Sequence, residues 1–374
     1  MGSETIHELD AVGQSVWLDN IGRSLIKTGR LKSLIDLGLK GMTSNPTIFD
    51  KAVASGPDYD DQIRSLRRGG ASAFGIYDEL TTTDVRDAAD VFRPVYDRTG
   101  GLDGFVSLEI NPKLAGDAAG TIVEGMRLSR KVGRPNVMFK VPATEAGFEA
   151  VEELTAEGIN VNITLIFSTR QYHATALAYL RGVKRLADRH TDVEKIRSVA
   201  SVFVSRIDTA VDALLEAFAA REPDARRKEL AGSLKGRVAV ANSHLCYADF
   251  RSIFAAEDFR RLGAKGANIQ RPLWGSTSAK NPAYSDVKYV EELIARDTVN
   301  TMPEKTFSAF LDHGRVAEAL TPDASKSGAI LAELATLGIS IDDVCDRLLE
   351  DGVRAFDRSL DDLLQSIEKK AASL

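Results

Sequence analysis

Short apolar runs recur along this chain, and the segments between them carry apolar residues at helical spacing. The runs are rich in β-branched and aromatic side chains, which is typical of buried strands. They predict eight strands, at residues 15–20, 41–46, 105–110, 137–143, 160–167, 199–207, 269–275 and 298–302.

Two of the intervening segments carry the helical pattern clearly. One apolar stripe comprises Val211, Leu214, Leu215 and Phe218, and a second comprises Val287, Val290, Leu293 and Ile294. Strands that alternate with helices predict parallel pairing, and eight such units predict an α/β fold, the (β/α)8 or TIM barrel. A doubly wound open sheet is the alternative, but the sequence lacks its glycine-rich phosphate turns, G-x-G-x-x-G and G-x-x-x-x-G-K-[ST].

Two further segments lie outside the eight units. Residues 1–13 predict a short N-terminal helix. Residues from about 323 to 374 predict a C-terminal helical extension, which we expect to pack across the barrel or against a partner subunit; its apolar stripe is Ile341, Val344, Cys345, Leu348, Leu349, Phe356, Leu363 and Ile367. No linker divides the chain, so residues 1–374 are interpreted as one domain, with the barrel at about 14–322.

Composition and charge exclude several classes of protein. The chain has 374 residues, 44% of them hydrophobic, and its net charge of −6 gives no reason to expect a basic face for nucleic acid. No apolar run has the roughly 18 to 20 residues of a membrane span, and the first residues lack the pattern of a signal peptide. Cys246 and Cys345 are too few for a disulfide framework and are expected to be buried, reduced thiols. We therefore expect a soluble, cytoplasmic, globular protein.

Lys140 is an anomaly within a strand. It lies in the run VMFKVP, which is otherwise suited to burial, and lysine is seldom fully buried without a partner. Removal from water disfavours the ammonium form of a lysine and favours the free amine, which attacks carbonyl carbons. The alternative is a lysine at the strand end that reaches solvent or pairs with a carboxylate.

Polar residues also alternate along the fifth strand. Asn160, Asn162 and Thr164 share one face of the run NVNITLIF. Unpaired buried polar groups cost about 1 to 3 kcal/mol each. These side chains therefore form either a structural hydrogen-bond network or the wall of a polar pocket.

Two carboxylates occur near the carboxyl ends of predicted strands, where TIM barrels carry their active sites. Asp19 follows Val-Trp-Leu, and Glu109 follows Val-Ser-Leu. Beside an imine-forming lysine, such groups can move protons. The alternative for each alone is a helix cap or an ion-pair partner.

Candidate anion-binding groups follow two later strands. Arg206 directly follows Ser201–Ser205, at the carboxyl end of the sixth predicted strand, and the loop 275–281 after the seventh is small, rich in hydroxyl groups and basic. Such a loop offers N–H groups and a cation to a phosphate, although it is equally consistent with a solvated loop. No metal site is expected, because the five histidines lack zinc spacing and lie outside the predicted strands; they are His7, His173, His190, His244 and His313.

Four motifs then carry a resemblance to a known family. They are GMTSNPTIF from residue 41, VMFKVPAT from residue 137, NVNITLIFS from residue 160 and SVFVSRID from residue 201. Through them the chain resembles the transaldolases, in their longer bacterial form, over nearly its whole length. The resemblance implies a TIM barrel with class I aldolase chemistry and no cofactor or metal.

The resemblance implies a role for each matching residue. Lys140 would form the Schiff base, Asp19 would take the proton from the C4 hydroxyl, and Glu109 with Thr164 and a water would move protons during dehydration. The substrate-binding residues would be Asn45 and Asn162 on the dihydroxyacetone hydroxyls, Ser201 and Phe203 in the pocket wall, and Arg206 on the phosphate.

The second phosphate contact departs from the pattern of the family. Many members have an arginine after a Gly-Ala-Ser turn, whereas this chain has Gly275-Ser276-Thr277-Ser278 and then Lys280. We predict Ser276 and Lys280 as phosphate ligands. Arg271 is the alternative, but it lies before the turn.

The implied reaction transfers a dihydroxyacetone unit from sedoheptulose 7-phosphate to glyceraldehyde 3-phosphate, giving erythrose 4-phosphate and fructose 6-phosphate, in the non-oxidative pentose phosphate pathway. Two alternatives are a fructose-6-phosphate aldolase, which would release free dihydroxyacetone, and a non-catalytic barrel that binds sugar phosphates. Sugar-phosphate substrates are the expected partners, with no nucleic acid and no membrane. The sequence leaves open whether the chain is a monomer or a homodimer.

Overall fold

A computed structural model describes residues 2–189 and 192–374, and eight parallel strands form a closed barrel in it with each strand paired to its neighbours in sequence. The predicted fold is confirmed. The strands are β1 Gln14–Asp19, β2 Gly41–Thr43, β3 Phe105–Glu109, β4 Val137–Pro142, β5 Val161–Ile166, β6 Ser198–Phe203, β7 Gln270–Gly275 and β8 Thr298–Met302.

Helices surround the barrel and connect its strands. The predicted N-terminal helix is present as α1, Gly2–Val12. The helices between β1 and β6 are α2 Arg23–Lys27, α3 Arg30–Asp36, α4 Pro46–Ala54, α5 Asp60–Arg68, α6 Ala73–Arg98, α7 Ala118–Val132, α8 Glu145–Ala156 and α9 Thr169–Asp188.

The later helices include the predicted C-terminal extension. Those between β6 and β8 are α10 Ser205–Arg221, α11 Ala225–Leu234, α12 Val238–Ala255, α13 Glu257–Gly263 and α14 Lys288–Glu291, and those after β8 are α15 Glu304–His313, α16 Ser325–Thr336 and α17 Ile341–Ser373.

Three of the predicted elements differ from the structure. The second strand ends at Thr43 and not at residue 46, because Asn45 caps α4, which begins at Pro46. The sixth strand ends at Phe203 and not at residue 207, because Val204 turns the backbone into the helical region and α10 begins at Ser205. The stripe at residues 287–294 forms only the short helix α14; its apolar side chains are buried in turns around that helix.

The hydrophobic core has two parts. Most buried apolar side chains lie between the barrel and its helices. A smaller cluster fills the barrel interior and comprises Trp17, Phe105, Met138, Val199, Leu273 and Val299. Gly41 makes room for this cluster, because a Cβ there would lie 2.5 Å from the Trp17 ring.

The long helix α17 crosses the barrel at the carboxyl ends of the strands. Ion pairs fix it to the surrounding loops and helices: Asp346 with Arg170 at 2.6 Å, Asp361 with Lys113 at 2.5 Å, and Lys370 with Asp60 at 3.0 Å. Cys345, near its start, is buried and donates to the Phe167 carbonyl oxygen at 3.2 Å. Of the two packing arrangements expected for the extension, the structure therefore contains the one across the barrel.

Candidate active site

A cavity of about 390 Å³ opens at the carboxyl ends of the strands, beneath α17. It brings together nine of the predicted site residues, namely Asp19, Asn45, Lys140, Thr164, Ser201, Phe203, Arg206, Ser276 and Lys280. The other two, Glu109 and Asn162, are buried against these residues.

Strand register places the reactive groups side by side. Glu109 of β3 pairs with Lys140 of β4, which in turn pairs with Asn162 of β5. Equivalent positions on neighbouring parallel strands are about 4.8 Å apart. The three side chains therefore form one layer across adjacent strands.

Lys140 is almost fully buried and points its amine into the cavity. Nζ lies 2.6 Å from Glu109 Oε2 and donates to the Ser44 carbonyl oxygen at 2.9 Å. The pair with a carboxylate is one of the alternatives left open by the sequence. Lys140 also borders the cavity. The lysine therefore has a carboxylate partner and is also accessible to a substrate.

The two predicted carboxylates occupy different surroundings. Burial raises the pKa of Asp19 above its ordinary value, while the charge on Lys140 and a hydrogen bond from Thr43 Oγ1 at 2.8 Å act in the opposite direction. Burial likewise raises the pKa of Glu109, against the opposing charge of Lys140. Carboxyl groups with a raised pKa exchange protons more readily near neutral pH than ordinary ones.

The polar residues of β5 have two roles: some belong to a hydrogen-bond network, and one lines the cavity. Asn162 donates to Ser107 Oγ at 3.0 Å and accepts from Ser201 Oγ at 2.6 Å, so it is held from both sides. Thr164 borders the cavity, and its buried Oγ1 has no hydrogen-bond partner among residues 2–189 and 192–374. Asn160 donates to the Pro135 carbonyl oxygen and has a structural role.

Asn45 and Phe203 both line the cavity wall. Asn45 Oδ1 caps α4 by accepting from the Ile48 N–H at 3.0 Å, and Pro46 occupies the first helical position. Phe203 packs edge-on against Phe167, with ring centroids 5.6 Å apart. Both positions are thus fixed by local structure.

Cations without carboxylate partners lie at one side of the cavity. Arg206, in the first turn of α10, has its guanidinium 5.4 Å from the Phe203 ring centroid. Lys280 Nζ donates to Ser278 Oγ at 2.8 Å. Burial lowers the pKa of both side chains, and the charge on Arg206 lowers the pKa of Lys280 further. Within the described part of the chain neither cation forms an ion pair, which suits a bound anion.

The loop after β7 is joined to the start of α10. Ser276, in the left-handed region at φ +54°, shares a hydrogen bond with Ser205 through their hydroxyl groups at 2.9 Å. Its carbonyl oxygen accepts from the Ser205 N–H at 3.1 Å. The loop and the helix therefore present Ser276, Lys280 and Arg206 together.

Arg271 lies at the opposite end of the barrel. It pairs with Asp103 at 2.9 Å and donates to Ser15 Oγ at 2.9 Å. It is buried there and does not border the cavity, so the structure does not bring it to the other predicted phosphate ligands.

Several cavity residues were missed by the sequence reasoning. Ala355, Phe356 and Ser359 of α17 line the cavity, as does Lys51 of α4. Phe356 was identified only as one position of an apolar stripe. Phe356 lies far along the chain from the barrel strands, so no local sequence pattern indicates that it reaches the cavity.

Neither a metal site nor a membrane-spanning helix is found in the described residues. No group of three histidine, cysteine, aspartate or glutamate side chains there has the geometry of a metal site. None of the helices in residues 2–189 and 192–374 combines the length and the hydrophobicity that a membrane crossing requires. The four histidines that the structure describes lie outside its strands, and His190 falls outside the described residues.

Comparison with known proteins identifies the family. The family model described as Transaldolase/Fructose-6-phosphate aldolase matches residues 16–367. The chain belongs to the transaldolase/fructose-6-phosphate aldolase family. The four sequence motifs on which the resemblance rests all lie within the residues that the family model matches.

Individual relatives are similar over nearly their whole length. A transaldolase of Trichodesmium erythraeum is 42% identical over 370 residues, covering 98% of this chain and 97% of that protein. A transaldolase of Saccharopolyspora erythraea is 43% identical and covers 98% of each chain. A transaldolase of Mycobacterium tuberculosis is 44% identical, covering 96% of this chain and 94% of that protein.

Proposed function

We propose that this protein is a transaldolase that moves a dihydroxyacetone unit between sugar phosphates through an imine on Lys140. The observation that carries the proposal is the placement of Lys140 Nζ, 2.6 Å from Glu109 and at the edge of a cavity that Asp19 also borders. Full-length similarity to proteins named transaldolase supports it. The whole chain would act as one domain, since α17 completes the cavity wall.

Binding would place the phosphate of the ketose on Arg206, Lys280 and Ser276. These groups lie where α10 begins, and the positive end of the helix dipole adds to the attraction for an anion. Asn45 and Asn162 would hold the hydroxyls of the three-carbon unit. The carbonyl carbon C2 is then directed toward Lys140.

Imine formation comes first. The Lys140 amine attacks C2, and the resulting carbinolamine loses its hydroxyl as water. Glu109 would supply and accept the protons for this step, because its raised pKa lets it carry a proton. The unpartnered Thr164 hydroxyl suits a water that links Glu109 to the reacting oxygen.

Bond cleavage and transfer follow. Asp19 takes the proton of the C4 hydroxyl, the C3–C4 bond breaks, and its electrons pass into the iminium to form an enamine. The aldose phosphate leaves, and a second aldose phosphate is attacked by the enamine. Asp19 returns the proton to the new hydroxyl, and water releases the product from Lys140. Since the iminium accepts the electrons, the mechanism requires no metal or organic cofactor.

Borohydride trapping tests this proposal. Protein incubated with fructose 6-phosphate and reduced should carry a three-carbon adduct on the peptide that contains Lys140, read by peptide mass spectrometry. Lys140→Ala should form no adduct and lose activity by at least about 1,000-fold, while its circular dichroism and thermal transition stay those of a folded barrel.

The same assay separates the alternatives. Erythrose 4-phosphate formed from sedoheptulose 7-phosphate beyond one equivalent per active site only when glyceraldehyde 3-phosphate is present indicates transfer. Free dihydroxyacetone formed at a similar rate without any acceptor would indicate an aldolase. Binding of the sugar phosphate without an adduct, in folded protein, would contradict imine chemistry at Lys140.

A further inference from the structure

Helix α17 places an aromatic ring directly beside the proposed nucleophile. The Phe356 ring centroid lies 5.5 Å from Lys140 Nζ, and Phe356 borders the cavity with Ala355 and Ser359. This ring comes from outside the barrel strands. None of the steps proposed above uses it.

Contacts one turn before and one turn after Phe356 fix the position of α17 over Lys140. One turn before Phe356, Gly352 lies so close to β5 that an added Cβ would be 2.9 Å from Leu165 Cδ2. One turn after it, Ser359 Oγ accepts from Thr47 Oγ1 at 2.9 Å. The ring is therefore held over the amine by contacts that precede any substrate.

Leu165 is itself in an unusual conformation. Its φ of +59° is in the left-handed region, and the pairing of β5 with β6 shifts register between Ile163 and Ile166. A branched side chain adopts this region only at an energetic cost. The strand is thus distorted at the point where α17 rests on it, which indicates that the contact with Gly352 is built into the fold.

We propose that Phe356 determines whether the enamine on Lys140 is transferred to a second aldehyde or lost to water. This inference rests on the proposed function. In the loss reaction, a proton from water adds to the nucleophilic carbon of the enamine and gives the iminium of dihydroxyacetone. One further water molecule then hydrolyses it, releasing dihydroxyacetone and the free amine of Lys140.

One physical effect of the ring favours transfer. An apolar face over the nitrogen excludes the ordered water that would otherwise deliver a proton to the adjacent carbon. An incoming aldose phosphate brings the electrophilic aldehyde that the enamine attacks, and Arg206 and Lys280 attract its phosphate. The acceptor therefore does not depend on water that the ring excludes.

The test compares release with transfer in one protein preparation. Wild type and Phe356→Ala are incubated with fructose 6-phosphate in D2O, with and without erythrose 4-phosphate. Dihydroxyacetone that arises by enamine protonation carries one carbon-bound deuterium, which mass spectrometry detects. We expect the ratio of release to transfer to rise about tenfold in Phe356→Ala because water then reaches the enamine, with the Lys140 adduct still trapped by borohydride.

Two further variants keep the test valid if Phe356→Ala is unstable. Phe356→Leu retains an apolar side chain and should change the ratio less than Phe356→Ala. Phe356→Tyr retains the ring and adds a hydroxyl that can hold water, so it should raise release without a comparable loss of thermal stability. Phe218→Ala is the matched control, because Phe218 is also half-buried with a cation, Arg227, 5.3 Å from its ring, and it does not line the cavity.

The outcomes separate the two proposals. If wild type forms no adduct, the proposed function fails whatever the variants do. If wild type forms the adduct, but release and transfer fall together in all three Phe356 variants at a constant ratio, Phe356 has only a structural role and the inference is overturned.

Discussion

Charged residues are buried at both ends of this barrel, and the two groups differ in how completely they are paired. At the amino-terminal end, Arg271 bonds Asp103, Ser15 Oγ and the Leu102 carbonyl oxygen, and Asp103 also accepts from Trp17 Nε1 at 3.2 Å. Each of these buried charges therefore has its partners within the protein.

At the carboxyl end, the charges are paired only in part. Lys140 has Glu109, but Arg206 and Lys280 face the cavity with no carboxylate partner in the described residues. Thr164 Oγ1 also lacks a partner there. In parallel barrels the amino-terminal end serves stability and the carboxyl end carries function. The two ends of this barrel differ in that the carboxyl end has charged groups that remain able to bind a ligand.

The largest expected effect at the carboxyl end is on proton transfer. Asp19→Asn should lower kcat by about 10² to 10⁴-fold, the usual contribution of a general base. Borohydride should then trap the uncleaved six-carbon imine of fructose 6-phosphate on Lys140 in place of the three-carbon adduct. Asp36→Asn, an exposed aspartate on α3 paired with Lys32, is the control. An unchanged kcat in Asp19→Asn would exclude this residue as the base.

The pH dependence follows from the same side chain. Only ionised Asp19 can accept a proton, so activity falls as the pH drops through its pKa. Because burial raises that pKa, the acid limb of kcat/KM should lie above the range of an ordinary aspartate. The residual activity of Asp19→Asn should lack this limb.

At the amino-terminal end the expected effect is on stability. Arg271→Met should lower the free energy of unfolding by about 3 to 5 kcal/mol, because it leaves Asp103 buried without its cation, and kcat of the folded protein should stay within about twofold. Arg134→Met provides the matched control, since Arg134 forms an exposed pair with Asp90 at 2.6 Å that contributes about 0 to 1 kcal/mol. Urea unfolding measures both.

A double variant refines this comparison. Arg271→Met with Asp103→Asn removes both charges and should lose less stability than Arg271→Met alone. Equal losses for Arg271→Met and the exposed Arg134→Met would contradict the structural role given to the buried pair.

The smallest expected effect concerns phosphate binding. Lys280→Gln should raise KM for sugar phosphates about tenfold, as expected for a partly exposed charge-assisted hydrogen bond, and leave kcat nearly unchanged. The lowered pKa of Lys280 further predicts that binding weakens as the pH rises through a range below that of an ordinary lysine. Lys184→Gln, an exposed lysine on α9, serves as the control, and a KM shift of equal size there would refute a specific contact.

Much of the fold could be predicted because its signals are local. Strands β4, β5 and β7 were within one residue of their predicted bounds at each end, since continuous apolar runs between turns specify them. The end of β6 was misplaced, because apolar residues at 204 and 207 fit both a strand and the first turn of α10. The apolar residues around α14 are also spaced as in a helix, although most of them lie in buried turns, so their spacing predicted a longer helix than the structure contains.

The site was predictable where its residues lie on strands. Lys140, Glu109 and Asp19 interrupt apolar runs, so each is visible as an anomaly in its own segment. Phe356 and Lys51 were not, because their contribution depends on where α17 and α4 settle over the barrel. That arrangement is decided by packing between residues far apart in the sequence.

The division between strand and loop also has a consequence for how such an enzyme can diversify. Glu109, Lys140 and Asn162 are spaced by the backbone hydrogen bonds of three adjacent strands, whereas Lys280 and Phe356 come from a loop and an added helix. Insertions in those outer segments leave the strand ladder untouched. Preference for acceptor length, and the fate of the intermediate, can therefore evolve or be engineered while the carbon–carbon chemistry is inherited unchanged.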